Sequence, residues 1–202
     1  MNSGSDFAAE VAATAARLVV EEGMEYGPAK RKAAGLLGAA RVRATALPDN
    51  DRLEDAVRQY IALFCADTQP AELAALRQVA LQWMERLAPL RPYLTGAVWR
   101  GTATRLNPVH LQLFCDDPKA AEIALLDLGV PYDVATAPGP RGQPVDVLRV
   151  LAPSATLGER VAVHLTVLDH DDLRGALRPD ARGRSERGDA TALRRLLAGD
   201  AR

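Results

Sequence analysis

Residues 94–117, LTGAVWRGTATRLNPVHLQLFCDD, read as a glycine-containing turn, a short helix or bend, and then a strand. In the strand Val109, Leu111 and Leu113 alternate with His110 and Gln112. Successive side chains of a strand point to opposite faces, so this alternation predicts one apolar and one polar face. A turn leading into a helix exposes unpaired backbone N–H groups, and the aligned peptide dipoles add partial positive charge there. Both favour phosphate. In this reading Gly96 lets a phosphate approach the backbone closely, while Arg100 supplies a charge and Thr102 a hydroxyl.

At these residues the chain resembles the glycine-serine loop of the DNA-polymerase-β-like nucleotidyltransferase superfamily. Members carry a hydrophobic-Gly-Ser turn, an Arg-Gly-x-Ala continuation and, a short way on, Asp-hydrophobic-Asp. Here Leu94-Thr95-Gly96-Ala97 is similar to the turn, and Arg100-Gly101-Thr102-Ala103 to its continuation. Val109 and Leu111 match the hydrophobic strand positions. The resemblance covers residues 93–173 and implies a mixed β-sheet with flanking helices. It also implies a phosphate or nucleotide pocket formed by Gly96, Ala97, Arg100, Gly101 and Thr102.

The departures from the family shape the functional expectation. Its paired carboxylates would fall at Pro108 and His110, and its loop serine at Ala97. The third carboxylate would fall at Asp146 or His164, and the sequence leaves that choice open. In the family these acids hold divalent metal against nucleotide phosphates, because hard cations prefer oxygen ligands. A proline offers only its carbonyl, and imidazole is a poor magnesium ligand. The expectation is therefore a catalytically degenerate nucleotidyltransferase-like protein with no cofactor, binding a nucleotide, an RNA or a protein. The alternative is an active nucleotidyltransferase with a rearranged Mg2+ site on Asp116, Asp117 or Asp146. Against it, Asp116 lies six residues beyond His110, roughly 20 Å along an extended strand.

Other chemistry is weaker. His110 and His164 together suit a transition metal, but without a fixed third ligand the structural reading is stronger. Asp169-His170-Asp171-Asp172 reads as a helix cap, in which Asp171 or Asp172 accepts from backbone N–H groups. Ser154 lies outside any Gly-x-Ser-x-Gly elbow, and neither Cys65 nor Cys115 has zinc or redox spacing.

At 202 residues, with 48% hydrophobic and 25% charged residues, the composition is that of a globular protein. The formal net charge of −1 excludes a generally cationic nucleic-acid binder. Two local surpluses remain: residues 174–202 hold eight Arg against four acids, and residues 28–46 hold five basic residues and no acid. No signal peptide and no membrane-length apolar run is visible, so the expected location is cytoplasmic, with both cysteines reduced.

The expected organisation is α+β: an N-terminal helical bundle over residues 1–90, the nucleotidyltransferase-like domain over 91–177, and a tail over 178–202. Residues 1–5 read as a polar leader, and Asp6 as the cap of a helix ending at Gly23. A second helix spans 28–38, burying Ala29, Ala33, Leu36 and Leu37. A third carries Leu53, Val57, Tyr60, Ile61 and Phe64 inward, and a fourth, over 70–87, buries Leu73, Leu76, Val79 and Trp83. Tyr60, Phe64 and Trp83 read as core residues rather than a base-stacking platform, and the helical region as the surface for a protein partner. Strands are expected over 109–114, 132–137, 145–151 and 161–168, with a helix over 118–128. The Arg, Gly, Asp and Ser of 178–189 read as a linker, before a last helix docking through Leu193, Leu196 and Leu197.

Overall fold

The computed structural model describes residues 3–38, 47–180 and 182–200. The chain forms two compact units, Met1–Pro70 with Thr102–Asn107, and Ala71–Gly101 with Pro108–Arg202.

Among the described residues three helices build the first unit: α1 (Ser3–Glu22), α2 (Tyr26–Leu36) and α3 (Asn50–Phe64). Val11, Ala15, Leu18 and Val19 of α1 meet Ala29 and Ala33 of α2 and Leu53, Val57 and Ile61 of α3 in one buried cluster. Gly23 ends α1 in the left-handed region (φ 65°), where a β-carbon would also stand 3.0 Å from Leu106. Asp49 caps α3, its Oδ1 accepting from the Arg52 N–H at 2.7 Å. Gln69 donates to the Ala103 carbonyl at 2.8 Å, tying the 102–107 segment into this unit.

Several expectations for these helices are corrected. Helix α1 starts at Ser3, three residues ahead of the expected cap at Asp6. Leu36 is 61% exposed and Phe64 68% exposed, and Leu37 is also on the surface. Leu36 and Phe64 are the last residues of their helices and Leu37 follows α2 directly. Periodicity assigns a face, but only packing shows where the neighbouring surface stops. In the basic stretch Lys30 donates to the Pro48 carbonyl and to Asn50, while Lys32 pairs with Glu22. Arg41 and Arg43 lie outside the described residues.

The second unit is a mixed sheet with helices, as the α+β expectation required. Its elements are α4 (Gln69–Arg86) from Ala71 onward, β1 (Pro92–Thr95), α5 (Gly96–Arg100), β2 (Val109–Cys115), α6 (Ala120–Asp127), β3 (Asp133–Pro138) and β4 (Pro144–Ser154). They are followed by β5 (Glu159–Asp169), a 3-10 turn at His170–Asp172, α7 (Leu173–Ala176), β6 (Arg187–Gly188) and α8 (Ala190–Asp200). Strands align in the order β3-β4-β5-β2-β1-β6. The β2–β5 pair is parallel and the others are antiparallel. Leu148, Leu165, Leu111 and Leu94 lie in one row across four strands, all fully buried. Trp83 on α4 is buried, as expected for a core residue.

Where a linker is expected at 178–189, the described residues make polar contacts. Asp180 Oδ1 accepts from the N–H groups of Arg182 and Arg184 at 2.9 and 2.8 Å. The Arg184 backbone N–H is the main cause holding the Asp180 carboxyl below the usual carboxylate range. The chain then pairs with β1, Leu94 opposite Gly188 and Thr95 opposite Arg187. Thr95 donates its hydroxyl to the Glu186 carbonyl at 3.0 Å, and Trp99 Nε1 donates to the Ser185 carbonyl at 2.7 Å. None of these contacts leaves a hydrophobic period to read.

Trp99 also packs against Gly188. A β-carbon on Gly188 would fall 2.1 Å from the indole ring, far inside contact distance. Overpacking of this kind costs about 1–3 kcal/mol. We expect Gly188→Ala to lower Tm by several degrees and to shift Trp99 fluorescence. An unchanged Tm in thermal unfolding contradicts the packing described for β6.

Candidate functional site

The alternation along β2 places Val109, Leu111 and Leu113 on the buried face and His110 and Gln112 on the other, where both are half-buried. Residues directly opposite on paired strands share a face. The pairings Arg149–His164, His164–His110, His110–Thr95 and Thr95–Arg187 therefore form one polar row across five strands. The His110 and His164 rings stand 5.0 Å apart, centroid to centroid, at 79°. Asp133 of β3 lies opposite Arg149 and adds one carboxylate to the row.

Asp146 and His164, the two positions that the resemblance left open for a third carboxylate, separate here. His164 is on the same face as His110 and next to it. Leu148 lies opposite Leu165, so two residues back along β4 Asp146 falls on the other, largely apolar face. Pro108 directly precedes β2 and is half-buried.

The residues expected to form a phosphate pocket begin at α5. Gly96 opens α5 with φ 74°, and a β-carbon on it would touch the His110 ring at 3.5 Å. Ala97 follows within the helix. Arg100 closes the helix, ~6 Å farther along the axis, and Gly101 is its left-handed C-cap. The carbonyls of that end are occupied by Arg77, whose Nε donates to Val98 O at 3.3 Å and Nη2 to Trp99 O at 3.5 Å. Thr102 belongs to the other compact unit, and its buried hydroxyl has no hydrogen-bond partner.

Beyond the histidines the polar face deepens into a cavity of about 440 Å³, lined by Gln112, Arg141, Leu168, Asp171, Asp172 and Arg187. A second cavity of about 260 Å³ lies at the C-terminal ends of β2 and β5, lined by Cys115, Asp116, Asp146, Asp169 and Asp172 among others. Among the described residues no three His, Cys, Asp or Glu side chains are grouped to hold one metal ion. The cap of the 3-10 turn is Asp169, whose Oδ1 accepts from the Asp171 N–H at 2.8 Å. That corrects the expectation that Asp171 or Asp172 does so. Asp172 instead pairs with Arg141 Nε at 2.8 Å, and His170 lies 3.8 Å from Asp116.

Sequence reading did not single out Gln112, Arg141 or Arg187 as site residues. Gln112 carried a signal, being the polar position that follows His110 on β2. Arg187 carried none, because its place depends on a two-residue strand. The chain has no match among protein-family models, curated proteins or solved structures. No helix of the described residues is long and apolar enough to cross a membrane.

Burial, followed by the charges of Asp116 and Asp117, pushes the Cys115 thiol above its ordinary pKa. A raised folded-state value means the thiol ionises first in the unfolded chain, near pH ~8.5. The associated stability is complete below that pH and is lost as pH rises through the folded value. We expect iodoacetamide at neutral pH to label the half-buried Cys65 faster than Cys115. We also expect Cys115→Ala to flatten the alkaline loss of stability. Faster labelling at Cys115, read by mass spectrometry, contradicts this.

Proposed function

We propose that this protein is a nucleotidyltransferase-like domain that binds a phosphate-bearing ligand, a nucleotide, without transferring it. The observation that carries the reading is the His110–His164 pair, side by side on the polar face with Arg149 beside it. The resemblance puts metal-binding carboxylates at the position of His110 and on a later strand. Carboxylates there would recruit a hard cation to neutralise the ligand. Imidazole N–H groups and a guanidinium recognise the phosphate oxygens themselves, through charge-assisted hydrogen bonds. Transfer needs the developing charge on the phosphoryl group stabilised more strongly than its ground state. A site that grips the ground-state phosphate does not meet that requirement. Binding therefore needs no divalent metal, whereas family catalysis does.

The test is calorimetric titration with ATP, CTP, GTP and UTP, each with magnesium and with EDTA. We expect weak binding that survives EDTA and falls roughly ten- to hundredfold in the His110→Ala, His164→Ala double variant. Each charge-assisted hydrogen bond is worth about 1.5–3 kcal/mol, so loss of even one of the two accounts for a fall of that size. In parallel, labelled nucleotides incubated with magnesium or manganese and with bacterial RNA and protein should show no incorporation. Absence of nucleotide binding rejects the proposal. Metal-dependent incorporation abolished by Asp146→Ala replaces it with an active, rearranged transferase.

A further inference from the structure

The 440 Å³ cavity contains a buried cation whose charge the protein leaves under-compensated. The Arg187 side chain is only 13% exposed. Its Nη1 donates to Gln112 Oε1, a neutral amide. Its Nη2 lies 3.6 Å from Glu186, a carboxylate that is itself 57% exposed. Its Nε is buried with no hydrogen-bond partner. Burial lowers the guanidinium pKa from its ordinary value, in keeping with this shortage of partners. A buried charge without full pairing is costly, so such a group is a strong attractor for an anionic oxygen.

The same cavity holds the reciprocal feature. The Asp172 side chain is 6% exposed, and one of its oxygens is engaged by Arg141 Nε at 2.8 Å. The other, Oδ2, is buried and has no hydrogen-bond partner. Asp171, on the surface, contributes a second carboxylate to the lining. Arg141 offsets Asp172, which leaves Arg187 and Asp171 as one positive and one negative group facing a shared volume. Leu168 gives the wall between them an apolar patch.

We propose that this cavity binds a small zwitterion of the amino-acid class, its carboxylate on Arg187 and its ammonium on Asp171 and Asp172. A simple anion satisfies the Arg187 donor but meets two carboxylates. A simple cation satisfies Asp172 Oδ2 but meets a buried guanidinium. A molecule carrying both charges pairs with the guanidinium and the carboxylates of the lining at once. The volume lies within the roughly 300–1,000 Å³ of small-molecule sites. The proposal is independent of the nucleotide reading, which rests on His110, His164 and Arg149.

The test uses the full chain and a ladder of probes: glycine, β-alanine, 4-aminobutyrate and 5-aminopentanoate. Each is compared with the acid and the amine of matching length, and all with inorganic phosphate. Binding is read by calorimetry and by the NMR signal of the Arg187 Nε–H. We expect at least one amino acid to bind about tenfold or more tightly than both of its one-charge counterparts, and to shift that signal. Arg187→Gln should abolish the preference, and Asp171→Asn should weaken it while leaving thermal unfolding unchanged. If Arg187→Gln disturbs β6, the wild-type ladder and the Asp171→Asn variant decide alone. Equal binding of the acid, phosphate and amino acid makes this a general anion site and overturns the proposal. No shift of the Arg187 signal with any probe also overturns it, leaving a hydrated cavity. Nucleotide binding lost in the His110→Ala, His164→Ala variant while this ladder is unchanged keeps the two readings distinct.

Discussion

Parallel pairing of β2 with β5 sets Val109 beside Val163, Leu111 beside Leu165 and Leu113 beside Val167. All six side chains are buried, each contributing about 1.5–3 kcal/mol. Because side chains alternate, the same register brings His110 beside His164 and Gln112 beside Thr166 on the opposite face. A slip of one residue would turn every apolar group outward and every polar group into the core. The hydrophobic face therefore selects the register, and the register assembles the polar site. The histidine pair is held by packing that it takes no part in.

The far edge of the sheet depends on a different kind of contact. Strand β6 contributes no large apolar side chain, only a glycine on which Trp99 lies and an arginine turned toward Gln112. Its attachment is made of backbone pairing to β1, the Trp99 and Thr95 hydrogen bonds, and the Asp180 turn before it. These contacts bury Arg187 on the sheet face. A two-residue strand thus delivers one of the best-buried cations of the second unit to a cavity. The opposite wall is built the same way: the Arg141–Asp172 pair joins the β3–β4 loop to the turn after β5.

The central strands were legible in the sequence because each alternates cleanly and is bounded by turn residues. Val161, Val163, Leu165 and Val167 face one way on β5, as their spacing requires. The helical faces were legible too, through Val11, Leu53, Leu76 and Trp83. Helix ends were not. Leu36, Leu37 and Phe64 continue an apolar stripe past the point where a neighbour covers it. For the site, His110 was legible as a polar position on β2, and His164 only as one of two choices.

By itself the sequence determined the α+β class and the polar face of β2 and β5. These are properties of local order: period-two alternation and the residue type at a position. Tertiary structure alone decided that His164 rather than Asp146 stands beside His110, since that depends on which strands pair and in which register. It alone made 187–188 a strand, because hydrogen bonds from Trp99 and Thr95, over eighty residues away in the chain, leave no periodic trace. The placement of Gly96 and Arg100 has the same origin: a five-residue helix sets its two ends apart, and only the folded chain shows what each then meets.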